Sequence, residues 1–176
     1  MSVSLYFIAV LPPEEIQEEI TQFKHEVAEE FNSSHALKSP PHITLHMPFR
    51  WKESKFEILE KMLEGLNSAV APFTLQLNGF DFFEPRVVFV DVVESEQLEE
   101  LQKKVVSQCR RVLKLDNGNY KDRPFHPHVT IGFRDLKKPD FYRAQKHFTE
   151  KEYSRKFSVE RITLLKHDGK EWNTVL

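Results

Sequence analysis

Cysteine is nearly absent. Cys109 is the only one in 176 residues, which excludes an internal disulfide framework and a zinc cluster built on several thiolates. Its helical surroundings suit a plain buried or half-buried thiol. Long apolar runs are missing as well. The run from Val3 to Leu11 stops at Pro12-Pro13, far short of the ~20 apolar residues that span a bilayer. No basic stretch of a signal peptide precedes it, so a cytoplasmic protein is expected. Nor is there an excess of charge of either sign. Twenty-five Lys and Arg face 27 Asp and Glu, a net −2, which argues against a surface that coats duplex nucleic acid. A small pocket for one phosphate or a strand end remains open.

What is present is core material. Fifteen phenylalanines stand against five glycines, and 40% of residues are hydrophobic, enough for one ordinary folded domain. Val3 to Leu11 reads as a buried strand. Pro12-Pro13 and Glu14-Glu15 start a helix, and Ile16, Ile20, Phe23, Val27 and Phe31 give it one apolar face up to Asn32. His42 to His46 alternates as a strand, and Phe56 to Leu66 repeats as a helix. Phe73 to Phe80 and Arg86 to Val93 read as strands, and Ser95 to Leu115 as a third helix. A turn at Asp116 to Asn119 and a loop from Asp122 to Pro127 lead to a strand from His128 to Phe133. A short helix at Asp140 to Phe148 precedes two closing strands, Phe157 to Lys166 and Trp172 to Leu176.

The order repeats. Phe7 and Phe89 lie 82 positions apart, as do Ile16 and Leu98; His42 and His128 lie 86 apart, and Phe73 and Phe157 lie 84 apart. Near-constant offsets across these landmarks point to internal duplication. The expectation is a single two-lobed α+β domain over 1–176, with interleaved halves of roughly 1–82 and 83–176 about a pseudo-twofold axis.

Each half carries Pro-His-x-Thr. Side chains two apart on a strand share a face, so His42 projects beside Thr44 and His128 beside Thr130. Two imidazoles can divide the proton transfers of phosphodiester chemistry, one taking a proton and one giving it. Threonine hydroxyls can bond the non-bridging oxygens as charge develops. One His-x-Thr carries almost no information, and a lone strand histidine is more often structural. Two at corresponding places, each after a proline (Pro41, Pro127), carry much more.

Pro41-His42-Ile43-Thr44-Leu45 and Pro127-His128-Val129-Thr130-Ile131 resemble the paired motifs of the two-histidine (2H) phosphoesterase superfamily, nearest its 2′-5′ RNA ligase-like and cyclic nucleotide phosphodiesterase groups. The resemblance covers most of the chain. It implies two antiparallel sheets with flanking helices around a central cleft, and metal-independent action on 2′,3′-cyclic phosphates or 2′-5′ linkages, with no cofactor. By motif position, His42 and His128 would be the acid/base pair, and Thr44 and Thr130 the phosphate binders. In many relatives an arginine follows the second motif; here Phe133 holds that place and Arg134 comes next.

His46 falls on the expected face of His42, and His126 near that of His128, so a metal site of four imidazoles is an alternative. The absence of acids within the motifs and the proline after His126 favour rim positions for both. Arg123, Phe133, Arg134 and Phe49 flank the motifs and are candidate substrate contacts through stacking and ion pairing. Core packing and solvated surface are the competing explanation for them. Residues 114–143 hold seven cations and four acids, adequate for a nucleotide or RNA end. A monomer acting on a small nucleotide or RNA-end substrate is therefore expected, without duplex or membrane partners. A nucleotide-binding module with little turnover is the other alternative.

Overall fold

The computed structural model describes residues 2–118 and 123–176. Asn119 of the expected turn and Asp122 of the expected loop lie outside the described residues. Among the described residues the strands are β1 (Val3–Val10), β2 (Ile43–Lys52), β3 (Phe73–Phe83), β4 (Val87–Val92), β5 (His128–Gly132), β6 (Ser154–Val159), β7 (Thr163–His167) and β8 (Trp172–Thr174). The α-helices are α1 (Glu14–Phe31), α2 (Phe56–Ser68), α3 (Glu96–Gln108) and α4 (Lys138–Thr149).

The strands form two antiparallel four-stranded sheets, ordered β2-β1-β7-β8 and β5-β4-β3-β6. Each sheet therefore has its His-x-Thr strand at one edge, and those two edges lie against each other. Alternation sets the faces. Tyr6, Ile8 and Val10 enter the large core with Val88, Val90 and Val92, whereas Phe7, Ala9 and Leu165 pack on the other face. The helices cover the core faces crosswise: α1 packs on β5 and α4 on β3 and β4, while α3 packs on β2.

Local signals explain the helix ends. The Ser95 hydroxyl accepts the Leu98 N–H at 3.2 Å and caps α3. Asn32, at φ 56°, closes α1 in the left-handed region. The third helix was expected to run on to Leu115. Instead α3 ends at Gln108, and Cys109–Leu113 forms a single wider π turn closed by Lys114 at φ 58°.

The closing strand expected over Phe157 to Lys166 is two strands in different sheets. Phe157 pairs with Leu75 in one sheet, and Leu165 with Phe7 in the other. The chain crosses at 160–162, where Asn67 of α2 accepts the Ile162 N–H at 2.7 Å and donates to the Ile162 carbonyl at 3.2 Å. The like patterns at Phe73 and Phe157 thus lie on partner strands, as pairing across one buried face demands.

Each motif strand also has an irregularity at a matching place. Ala9 faces Thr44 and Ile8 faces His46, so Leu45 is an extra residue; Phe89 faces Thr130 and Val88 faces Gly132, so Ile131 is extra. Such a bulge turns the rest of the strand onto the opposite face. Beyond the second bulge, a Cβ on Gly132 would lie 2.9 Å from Val27 Cγ1 of α1. Gly132→Ala is expected to destabilise the protein by about 1–3 kcal/mol in urea unfolding. Val27→Ala in the same chain should recover part of that loss.

Candidate active site

His42 leads into β2 and His128 opens β5, so both imidazoles sit at the start of an edge strand. They are held alike. His42 Nδ1 lies 2.8 Å from the Pro40 carbonyl oxygen, and His128 Nδ1 lies 2.7 Å from that of His126. A carbonyl only accepts, so each Nδ1 carries the proton and each Nε2 keeps its lone pair. Each ring also rests on a phenylalanine from the neighbouring strand: Phe7 is 4.7 Å from His42 and Phe89 is 4.9 Å from His128, between ring centroids. Outer aromatics back these, with Trp172 4.6 Å from Phe7 and Phe83 4.5 Å from Phe89.

Burial disfavours a charge on either ring. The His42 imidazole is pushed down to about 4, first by desolvation, then by the Lys24 ammonium and by His128. The charge on His128 thus reaches His42. His128 is also lowered, first by desolvation and then by neighbouring His126. Thr44 and Thr130 are half-buried, on the faces carrying Ala9 and Phe89. The structure thus gathers His42, His128, Thr44 and Thr130 along two adjoining strand edges.

The expected flanking residues divide. Phe133 is half-buried at the end of β5, edge-on to His35 at 5.0 Å, with the Arg134 guanidinium 5.5 Å above its ring. Arg134 is exposed, and its φ of 59° turns the chain away from the strand. Asp135 then accepts from Ser33 Oγ at 2.6 Å and from the Ser34 N–H at 3.1 Å, tying this rim to the end of α1. Arg123 is exposed on the segment entering β5. Phe49 is a correction. It is 3% exposed and packs 6.2 Å from Tyr6 and 5.3 Å from His46, inside the core. The bulges of β2 bring it opposite Tyr6, whose side chain faces inward.

The same shift corrects the expected face of His46. Opposite Ile8 and 0% exposed, it lies on the core side, away from His42 and Thr44. Four imidazoles therefore do not converge. His126 is exposed, with Nε2 3.8 Å from Asp91. Several neighbours escaped the sequence reading: Phe7, Phe89, Trp172, Phe83 and Asp91, which faces His128 across the ladder. Their signal was present in the strand alternation, which set Phe7 and Phe89 opposite in phase to the core residues.

Comparison with known proteins gives the family and the fold. A family model described as the 2′-5′ RNA ligase superfamily matches residues 12–171. The chain belongs to that superfamily. A Geobacillus kaustophilus protein assigned as a phosphoesterase is 30% identical over 136 residues, covering 74% of this chain and 69% of its own length. Among solved structures of similar fold, Escherichia coli LigT complexed with 3′-AMP has a TM-score of 0.68 at 22% identity, covering 99% of this chain and 97% of LigT. The Thermus thermophilus protein TT0787 has a TM-score of 0.67 at 20% identity, covering 98% and 95%. The superfamily and these relatives place the chain among the two-histidine phosphoesterases, and its α+β architecture of two antiparallel sheets is that of LigT.

Proposed function

We propose that this protein hydrolyses phosphodiesters by paired histidine acid/base catalysis, with a 2′,3′-cyclic phosphate on a nucleotide or RNA end as its substrate class. The carrying observation is the matched pair of imidazoles, each with Nδ1 fixed on the carbonyl two residues earlier and Nε2 left to exchange protons. One neutral Nε2 takes a proton from water, whose oxygen forms a bond to phosphorus. The other ring, protonated, gives its proton to the departing ribose oxygen as the P–O bond breaks. Thr44 and Thr130 donate hydrogen bonds to the non-bridging oxygens, where charge accumulates. Phe133, Arg134 and Arg123 remain candidates for the nucleoside side of the substrate. Cleavage of 2′-5′ linkages uses the same two transfers, and the reverse ligation exchanges the roles of acid and base. That LigT has been crystallised with 3′-AMP supports a nucleotide in the equivalent cleft. Nothing in the scheme calls for a metal, since the two rings supply both proton transfers.

The test is hydrolysis of the four 2′,3′-cyclic mononucleotides and of a short RNA ending in a cyclic phosphate, each with and without EDTA. Turnover of either is expected. Binding without turnover on every substrate would favour a nucleotide-binding module instead, and turnover lost only in EDTA would favour a metal-dependent enzyme.

The pH dependence follows from the two lowered imidazoles. Activity needs one ring neutral and the other protonated. In the free enzyme the pair loses its protons below the ordinary 6.5, with His42 reaching about 4. The kcat/KM profile is therefore expected to be a bell peaking between about pH 4 and 6.5 and falling above it. A bound phosphodiester anion favours the imidazolium, so the kcat profile should lie at higher pH. A kcat/KM optimum at about pH 8 would contradict this.

A further inference from the structure

Lys24 breaks the pattern of α1. It occupies the buried face between Ile20 and Val27 and is only 2% exposed. A buried ammonium is costly unless its donors are used. Here Nζ donates to the Ala36 carbonyl at 2.9 Å and to the Ser39 carbonyl at 2.7 Å. These carbonyls belong to the short 3-10 turn His35–Lys38 and the residue after it, where the backbone has few internal partners. The next carbonyl along, that of Pro40, is the one that accepts from His42 Nδ1.

We propose that Lys24 is a positioning residue for His42, anchoring the 36–40 segment so that the Pro40 carbonyl holds the imidazole in its Nδ1–H form with Nε2 free. The chain of contacts is short and continuous: Lys24 Nζ to Ser39 O, one peptide to Pro40 O, then His42 Nδ1. His128 is anchored differently. Its acceptor, the His126 carbonyl, belongs to an exposed residue. The two rings therefore answer to different supports.

Charge adds a second link. The Lys24 cation disfavours a proton on His42, and burial brings Lys24 itself down to about 7. Lys38 and Glu171 line the same cleft of about 300 Å³ as Lys24, together with Pro40 and Trp172. His128 is the other titratable group acting on His42. A neutral lysine amine still has two N–H donors, so both carbonyl bonds survive its deprotonation. Only the field at His42 changes.

The proposal rests on His42 taking part in the reaction, but its test can be read without turnover. Long-range 1H–15N spectra report the tautomer and titration of each imidazole, in the wild type and in Lys24→Met. The wild type should show His42 in a single Nδ1–H form. In Lys24→Met the expected result is a mixture of His42 tautomers with the His128 tautomer unmoved, and a displaced His42 titration, the lost Lys24 charge acting to raise it and the loosened Pro40 bond to lower it. With a cyclic nucleotide as substrate, kcat should fall about 10- to 100-fold, as expected for a displaced catalytic group, with KM within about 3-fold of the wild type. A folded variant with unchanged His42 tautomer and titration would overturn the proposal, however much its Tm had dropped. If Lys24→Met does not fold, the wild type decides. There, equal populations of both His42 tautomers would overturn the proposal, and one tautomer together with exchange-protected Lys24 Nζ protons would uphold it. A wild type inert on all phosphodiesters would strike the proposed function while leaving the tautomer result readable.

Discussion

His42→Ala and His128→Ala are each expected to lower kcat by about 10²- to 10⁴-fold, the range for loss of a general acid or base. Binding of a nucleoside monophosphate should change far less, because the threonine hydroxyls and the cleft walls remain. The two substitutions should not multiply. Once one proton transfer is lost the other has little to act on, so the double variant should be only slightly slower than the worse single one. Stability provides the control. His42 packs on Phe7, and His128 on Phe89 and Phe83, so a modest loss of Tm is expected in both variants. His147→Ala makes a useful contrast, since that ring pairs with Glu26 between α4 and α1, away from the motif strands. It should cost stability and leave kcat alone. Retention of more than a tenth of wild-type kcat by either His42→Ala or His128→Ala would end the paired acid/base reading.

The fold was legible wherever periodicity carried it. The face of α1 was visible in Ile16, Ile20, Val27 and Phe31, all of which are buried. That same spacing placed Lys24 on the apolar face, four after Ile20 and three before Val27. The acidic residues around it, from Glu14 to Glu30, give no sign that a cation among them is buried. Only the structure shows the carbonyls of Ala36 and Ser39 that make its burial tolerable. Short-range alternation failed at the bulges. With period two, His46 belongs to the face of His42, and one extra residue at Leu45 reverses that. A bulge costs one register step and leaves no composition signal, so the inward face of His46 was hidden; a second irregularity restores the phase, and Phe49 lies inward with Ile43 and Leu45, as period two alone would place it. The division of the closing strand was hidden for a similar reason. Residues on both sides of the crossing are apolar and strand-like, and what separates β6 from β7 is Asn67, 95 positions earlier, binding the Ile162 backbone.

Thr44→Val and Thr130→Val are expected to show the second large effect, a fall of about 10²-fold or more in kcat for each, as when one donor to developing charge is removed. Valine keeps the volume and the strand preference of threonine, so Tm should hold or rise slightly and the loss can be assigned to the hydroxyl. The charge on the non-bridging oxygens grows as the new P–O bond forms, so the effect belongs in kcat, with KM changing little. Two oxygens share that charge, and the threonines come from different sheets. Losses of similar size are therefore expected, and the double variant should lose close to their product, in contrast to the histidine pair. Thr44→Ser and Thr130→Ser retain the hydroxyl and should stay within about 10-fold of wild type. If valine at either position raised KM and spared kcat, that threonine would be holding the substrate in its ground state. The developing charge would then have to be met by other groups, with Arg134 at the rim of β5 the first to examine.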